Sequence, residues 1–198
     1  RCKMKLGEIA DIRTGLILAR KKANVKYEIQ KRYKLVTLKN IEDEGVFNEE
    51  PFEIFESKDE LSEEYFTREG DILIKLSANF TTVCIDGKTA GLLVPSYFSI
   101  IRLKTKEYIP EYITWYLNSD KVKRGLIKSQ RGSIISSTNN TILSSIHIKA
   151  IPIEEQKRIS KVRELYLKER NLLEALIKEK EKYYKAITYS LINKYGEE

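Results

Sequence analysis

A chain of 198 residues that is 41% apolar has room for one packed domain and an appendage, and is too apolar for wholesale disorder. No apolar run approaches the roughly 20 residues that cross a bilayer, and the opening "RCKMKLGEIADI" lacks the apolar core of a secretion signal. The net charge of +7 is segregated: residues 1–40 carry 12 Lys/Arg against 3 Asp/Glu, residues 41–70 carry 2 against 12, residues 71–150 carry 11 against 5, and the remainder is nearly balanced.

Two basic segments separated by an acidic one suit a nucleic-acid binder, because a basic surface supplies the sequence-independent part of DNA affinity. Cys2 and Cys84 form no patterned pair, which together with the missing signal places the chain in a reducing cytoplasm. The first residue is not Met, and Arg1 to Lys3 read as a remnant of processing.

Along the chain, the first 150 residues read as short apolar runs separated by turns. "KLGEIADIRTG" starts as a strand or helical turn and is broken by Gly15. "YKLVTLKNI" alternates and is rich in strand formers. "EDEGVFNEEPF" is a polar turn followed by an extended piece stopped at Pro51. "SKDELSEEYF" reads as a helix with Ser57 as N-cap and acids in its first turns. "EGDILIKLS" turns at Gly70 into a strand, Asp86-Gly87 is the strongest hairpin signal, and "SYFSIIRLK" is a further strand. "IPEYITWYLNSDKVKRGLIKSQRG" has helical spacing from Pro110 and is bounded by Gly132. The hydroxyl-rich stretch after it leads into a last strand alternating at Ile142, Ser144, Ile146 and Ile148. The fold class is therefore α+β, a strand-rich mixed domain over 1–152 and one long helix over 153–198.

Pro152 ends the sheet-forming region, and Glu154 and Glu155 suit the first turn of a helix. Apolar positions Ile159, Val162, Tyr166, Leu173, Leu176, Tyr183, Ile187 and Leu191 then step by three and four, with Glu169 and Lys180 interrupting. This is a coiled-coil seam, and neither Gly nor Pro breaks it between Glu154 and Lys194. Some forty residues of helix reach about 60 Å, too far for a domain of 150 residues to cover the stripe. The stripe needs another helix.

Catalytic signatures are missing from the sequence. The single His147 lies in an apolar stretch and reads as a strand residue. There is no paired His/Cys set for zinc, no Gly-rich nucleotide loop and no Asn/Asp-Pro-Pro-aromatic motif of adenine methylation. Glu56-Ser57-Lys58 lacks the upstream Asp of a nuclease. No cofactor or metal is expected, and the chain reads as a binder. Candidate DNA contacts are cations beside amide and hydroxyl side chains. They are Arg13, Thr14, Arg20, Lys21 and Lys22; Lys39 and Asn40; Lys75, Ser77 and Asn79 with Phe80 as an apolar contact; and Lys128, Gln130, Arg131, Ser133 and Asn139 with the hydroxyls around them. Gln130 and Arg131 beside Gly132 are the best base readers, since Gln and Arg suit bidentate contact with adenine and guanine. Lys21 and Lys22 are the best phosphate contacts.

Taken together, "KLGEIADIRTG", "EGDILIKLS", "SYFSIIRLK", the helix "PEYITWYLNSDKVKRGL", "QRGS" and the ending "IHIKAIPIEEQKRI" before a long helix resemble one repeat of the DNA-specificity subunit of type I restriction–modification systems. The resemblance runs from about Lys5 to the end, and departs at Ile153, where a second proline is common. It implies a non-catalytic half-length subunit with one target-recognition domain. Its helix would pair antiparallel with a second copy through Ile159, Val162, Tyr166, Leu173, Leu176, Tyr183 and Ile187. Implied partners are double-stranded DNA, modification subunits that methylate adenine, and restriction subunits; no membrane is implied. Three other readings are a coiled-coil adaptor that does not bind DNA, a fragment of a DNA-modifying enzyme, and a severed half of a longer subunit.

Overall fold

The computed structural model describes residues 3–77, 79–129 and 138–195. It divides into two compact units, Arg1–Lys157 and Arg158–Glu198. The first is α+β as the sequence led us to expect, and the second is helical.

In the first unit a four-stranded antiparallel sheet runs in the order β2-β7-β5-β6, with β2 at Ala10–Thr14, β5 at Ile72–Lys75, β6 at Thr82–Cys84 and β7 at Phe98–Leu103. The middle strand β5 is apolar on both faces: Ile72, Leu73 and Ile74 are all fully buried. Two further pairs flank it. β1 (Lys3–Lys5) pairs with β8 (His147–Lys149), which makes Lys3 part of a sheet. β3 (Lys31–Leu35) pairs with β4 (Glu53–Ser57). The main core gathers Val36, Ile41, Leu73, Val83, Ile85, Leu92, Val94, Phe98 and Ile100. Leu16, Leu35, Phe55, Leu61 and Leu93 form a second cluster. Gly15 is needed where the chain leaves β2, because a Cβ there would lie 2.3 Å from the Pro95 carbonyl oxygen.

Several elements differ from the sequence expectation, among them the stretch read as a strand from Tyr33, which leaves the sheet at Leu35 and makes a 3-10 turn at Leu38–Asn40. Ser57 ends β4 and caps no helix; only a single 3-10 turn, Glu63–Tyr65, follows. The acids of this stretch reach separate cations across the fold and Leu61 turns into the second core, which one amphipathic helix could not do together. Asp86-Gly87 forms a turn, with the Asp86 carboxylate accepting from the N–H groups of Lys88 and Thr89, but no hairpin. The chain beyond Gly91, which has φ +82, runs on to bridge Leu35 and Phe66 instead of returning along β6.

The expected helix after Pro110 is two: α2 at Pro110–Leu117 and α3 at Asp120–Ser129. The break is set by Asn118, whose side chain pairs with the N–H and carbonyl of Thr82 at 3.0 and 2.6 Å. The expected boundary at Gly132 lies outside the described residues. The alternation from Ile142 yields a short helix, α4 at Asn140–Ser144, before β8; α1, at Leu6–Ile9, packs beside it. Asn139 caps α4 by accepting from the Ile142 N–H at 3.0 Å, and a capped turn wins over alternation.

The long helix is present and unbroken. α5 runs for 42 residues, Ile153–Lys194, with Glu154 and Glu155 in its first turn. Its start is fixed inside the first unit by Gln156, which is fully buried. No helix among the described residues is long and apolar enough to cross a membrane.

Candidate nucleic-acid interface

The strongly basic first segment is partly neutralised by the acidic one. Five of its cations lie on carboxylates from 53–64: Arg13 on Glu64, Lys21 on Asp59, Lys31 on Glu60, Arg32 on Glu56 and Lys39 on Glu53. The hairpin places Arg32 directly opposite Glu56, so strand register alone makes one of these pairs. The hydrogen bond from Lys21 holds the Asp59 carboxyl below its usual range. Glu60 and Glu53 likewise hold the Lys31 and Lys39 ammonium groups above theirs. Solvent-exposed pairs of this kind contribute little to stability. Their larger effect is to cancel a positive field that DNA would otherwise meet.

Several sequence candidates are engaged inside the protein. Asn40 is fully buried; its side-chain oxygen accepts from the Thr37 N–H and hydroxyl, and its amide donates to the Glu50 carbonyl. Lys75 is 8% exposed, and its ammonium donates to the Ile41 carbonyl at 2.9 Å, with burial pushing its pKa down. Phe80 is fully buried with φ +50, a core residue held in a left-handed backbone and no wedge for DNA. Asn40, Lys75 and Phe80 are therefore corrected from surface contacts to structural groups. Their polar or aromatic character in loops looked like readiness for DNA, whereas it satisfies buried backbone and fills core.

Others remain at the surface. Thr14, Arg20, Lys22, Lys128 and Asn139 are exposed; Ser77 and Asn79 are half-buried, and Asn79 donates to the Asp43 carboxylate. The Leu76 carbonyl accepts from the Thr138 N–H at 2.8 Å, so the ends of the segments containing Ser77 and Asn139 are brought together. Lys128 ends α3. Arg13, Lys21 and Lys39 are exposed or half-buried but paired, as above. Gln130, Arg131 and Ser133, together with Ser136 and Ser137, lie outside the described residues.

Sequence reasoning overlooked Lys121, Lys123 and Arg124 on α3. The signal was there: cations at 121, 124 and 128 follow the helical repeat around buried Val122 and Leu126. Lys123 is half-buried, and burial pushes its ammonium pKa down against the opposing pull of Asp43, Asp120 and Glu44.

On α5 the apolar side chains are left in solvent. Val162, Tyr166, Leu173, Leu176, Tyr183 and Ile187 are all at least 40% exposed, and Leu165, Leu172, Ile177 and Tyr184 lie beside them; Ile159 is half-buried. Between them, Lys161 and Lys168 both bond Glu164, and Arg170 bonds Glu174.

The family model of the Type I restriction modification DNA specificity domain matches residues 2–182. Among solved structures, a chain from a study of complex assembly and conformational transition of the type I R-M system shares 17% identity and a TM-score of 0.65, covering 98% of this chain and 45% of that one. The HsdS subunit from Thermoanaerobacter tengcongensis gives 18% identity and a TM-score of 0.54 over 87% of this chain and 38% of its own. The type I restriction-modification S subunit from M. genitalium gives 12% and 0.52 over 86% and 40%. The chain thus spans less than half the length of each of these three. No curated protein matches it. With the family model covering nearly all of the recognition unit and most of α5, the chain belongs to the type I restriction–modification DNA specificity family.

Proposed function

We propose that this chain is a sequence-reading component of a type I restriction–modification complex, without catalytic activity of its own. The observation that carries the reading is the joining, in one chain of the specificity family, of a single mixed α+β unit to a 42-residue helix whose apolar stripe is exposed. Residues 1–152 are the recognition domain, and 153–198 are spacer and dimerisation arm. The covering partner of the stripe is a second copy, running antiparallel, and the pair reads a split palindromic site on double-stranded DNA. Modification subunits, and restriction subunits with them, assemble on this pair, and the complex works in the cytoplasm. Arg131 and Gln130 read base edges, while Arg20, Lys22, Ser77, Asn79, Lys128, Ser133 and Asn139 border the reading face. Arg13, Thr14, Lys21 and Lys39 are further contacts, and Arg13, Lys21 and Lys39 would first have to leave the carboxylates they bind in the free chain.

The test is to co-purify the full chain with its modification subunits and to map methylated adenines in host DNA with the gene intact and deleted. The expected result is the loss of one class of bipartite site. An unchanged methylation map contradicts the DNA-reading role, and S-adenosylmethionine binding by the purified chain contradicts the non-catalytic one.

A further inference from the structure

Helix α3, "DKVKRGLIKS", turns Val122 and Leu126 into the core. On its outer face Lys121, Arg124, Gly125 and Lys128 follow one another at helical spacing, all exposed. None of the three cations has a carboxylate partner among the described residues; the Arg124 guanidinium instead donates to the Asp120 carbonyl at 3.2 Å. In the first basic segment, by contrast, five cations lie on carboxylates. Like charges three and four residues apart weaken a helix.

Gly125 weakens it again. Glycine is the poorest helix former after proline, because it has most backbone freedom to lose. Gly7 and Gly15 have internal reasons to be glycine: a Cβ would lie 2.9 Å from the Ser144 Cβ and 2.3 Å from the Pro95 oxygen. At Gly125 a Cβ would meet nothing within 4 Å, and its φ is not among the positive ones. Nothing among the described residues requires a glycine there. Both departures suit an external polyanion, since free cations bind phosphates and a missing side chain lets a second backbone come close.

We propose that the outer face of α3 lies against the sugar–phosphate backbone of DNA, with Gly125 at the closest approach and Lys121, Arg124 and Lys128 on phosphates. This rests on the DNA-reading role and adds to it the element that sets the domain's register on the duplex. Lys121 and Lys128 are about 10 Å apart along the axis, a span that serves more than one phosphate.

The experiment measures binding of a fluorescent random-sequence duplex at several salt concentrations, using the full chain alone and with its co-purified modification subunits. Gly125→Ala should raise Tm by about 2–4 °C through better helix propensity, yet bind DNA roughly tenfold more weakly, the loss of about one phosphate contact. Lys121→Gln, Arg124→Gln and Lys128→Gln should each lower the salt slope by about one unit. Lys31→Gln, whose cation is already on Glu60, should leave it unchanged. Parent-like binding by Gly125→Ala, or unchanged slopes in all three cation variants, overturns the assignment of α3 and leaves DNA reading intact through other contacts. Variants that keep DNA but lose the modification subunits make α3 a protein-docking face, which also overturns it. If the parent itself shows no salt-dependent binding, the DNA-reading role falls and this inference with it.

Discussion

Gln156 bonds three backbone groups from two other stretches of chain. Its side-chain oxygen accepts from the Ile109 N–H at 3.0 Å, and its amide nitrogen donates to the carbonyls of Glu107 and Ile151 at 2.7 and 3.0 Å. Only an amide offers an acceptor and two donors at one tip. Leucine fills the same space and orphans all three groups, and a buried unpaired polar group costs about 1–3 kcal/mol. Gln156→Leu should therefore destabilise by about 3 kcal/mol, a Tm fall of roughly 6–12 °C for a chain of this size. Gln156→Glu keeps the acceptor and turns a carboxylate on two carbonyls, so it should do no better. Thermal melts of both variants check this, and parent-like melting of Gln156→Leu would show that the hydrogen bonds do not hold the start of α5. The sequence ending that contains Gln156 stood out by resemblance, but its mechanical reason was not legible, because its partners at 107 and 109 are nearly fifty residues away.

Elements were legible where periodicity decided them. β5, β7 and α5 announced themselves, the first two as short apolar runs bounded by turns and the third as a long apolar repeat. Elements set by distant partners were not: the helix read after Ser57 dissolves because Asp59, Glu60 and Glu64 each find a cation in the first segment, and Asn118 splits a helix by pairing with Thr82. The same blindness affected the candidate site. Segment charge marked both residues 1–40, where five ion pairs remove part of the positive field, and residues 71–150, but the search for contacts among polar loops passed over α3. The apolar stripe of α5 carries its own prediction. Burying Leu173 and Leu176 against another helix is favourable by about 25 cal/mol per Å², and glutamates at both positions would bring four like-placed charges into the seam of a pair. Leu173→Glu with Leu176→Glu should therefore give monomers, while the unmodified chain scatters light as a dimer at micromolar concentration. A monomeric unmodified chain would contradict pairing through this stripe.

For the whole molecule, the proposed pairing of identical chains would constrain the DNA. Two copies related by a two-fold axis present the same reading surface in opposite orientation, so the half-sites must be inverted copies of one sequence. In the proposed pair, the unread spacer between them is set by how far apart the α5 helices hold the two domains. A deletion of residues 174–180 removes one heptad. It leaves the apolar repeat in register, with about a 20° rotation, and shortens each helix by about 10 Å. Along a duplex that rises about 3.4 Å per base pair, the spacer of the methylated site should contract by roughly three base pairs with both half-sites unchanged. Sequencing of methylated adenines from cells carrying the deletion reads this directly. An unaltered spacer would mean that the length of α5 does not set the distance between half-sites. An asymmetric bipartite site read by the unmodified chain would mean that its partner on DNA is not a second copy of itself.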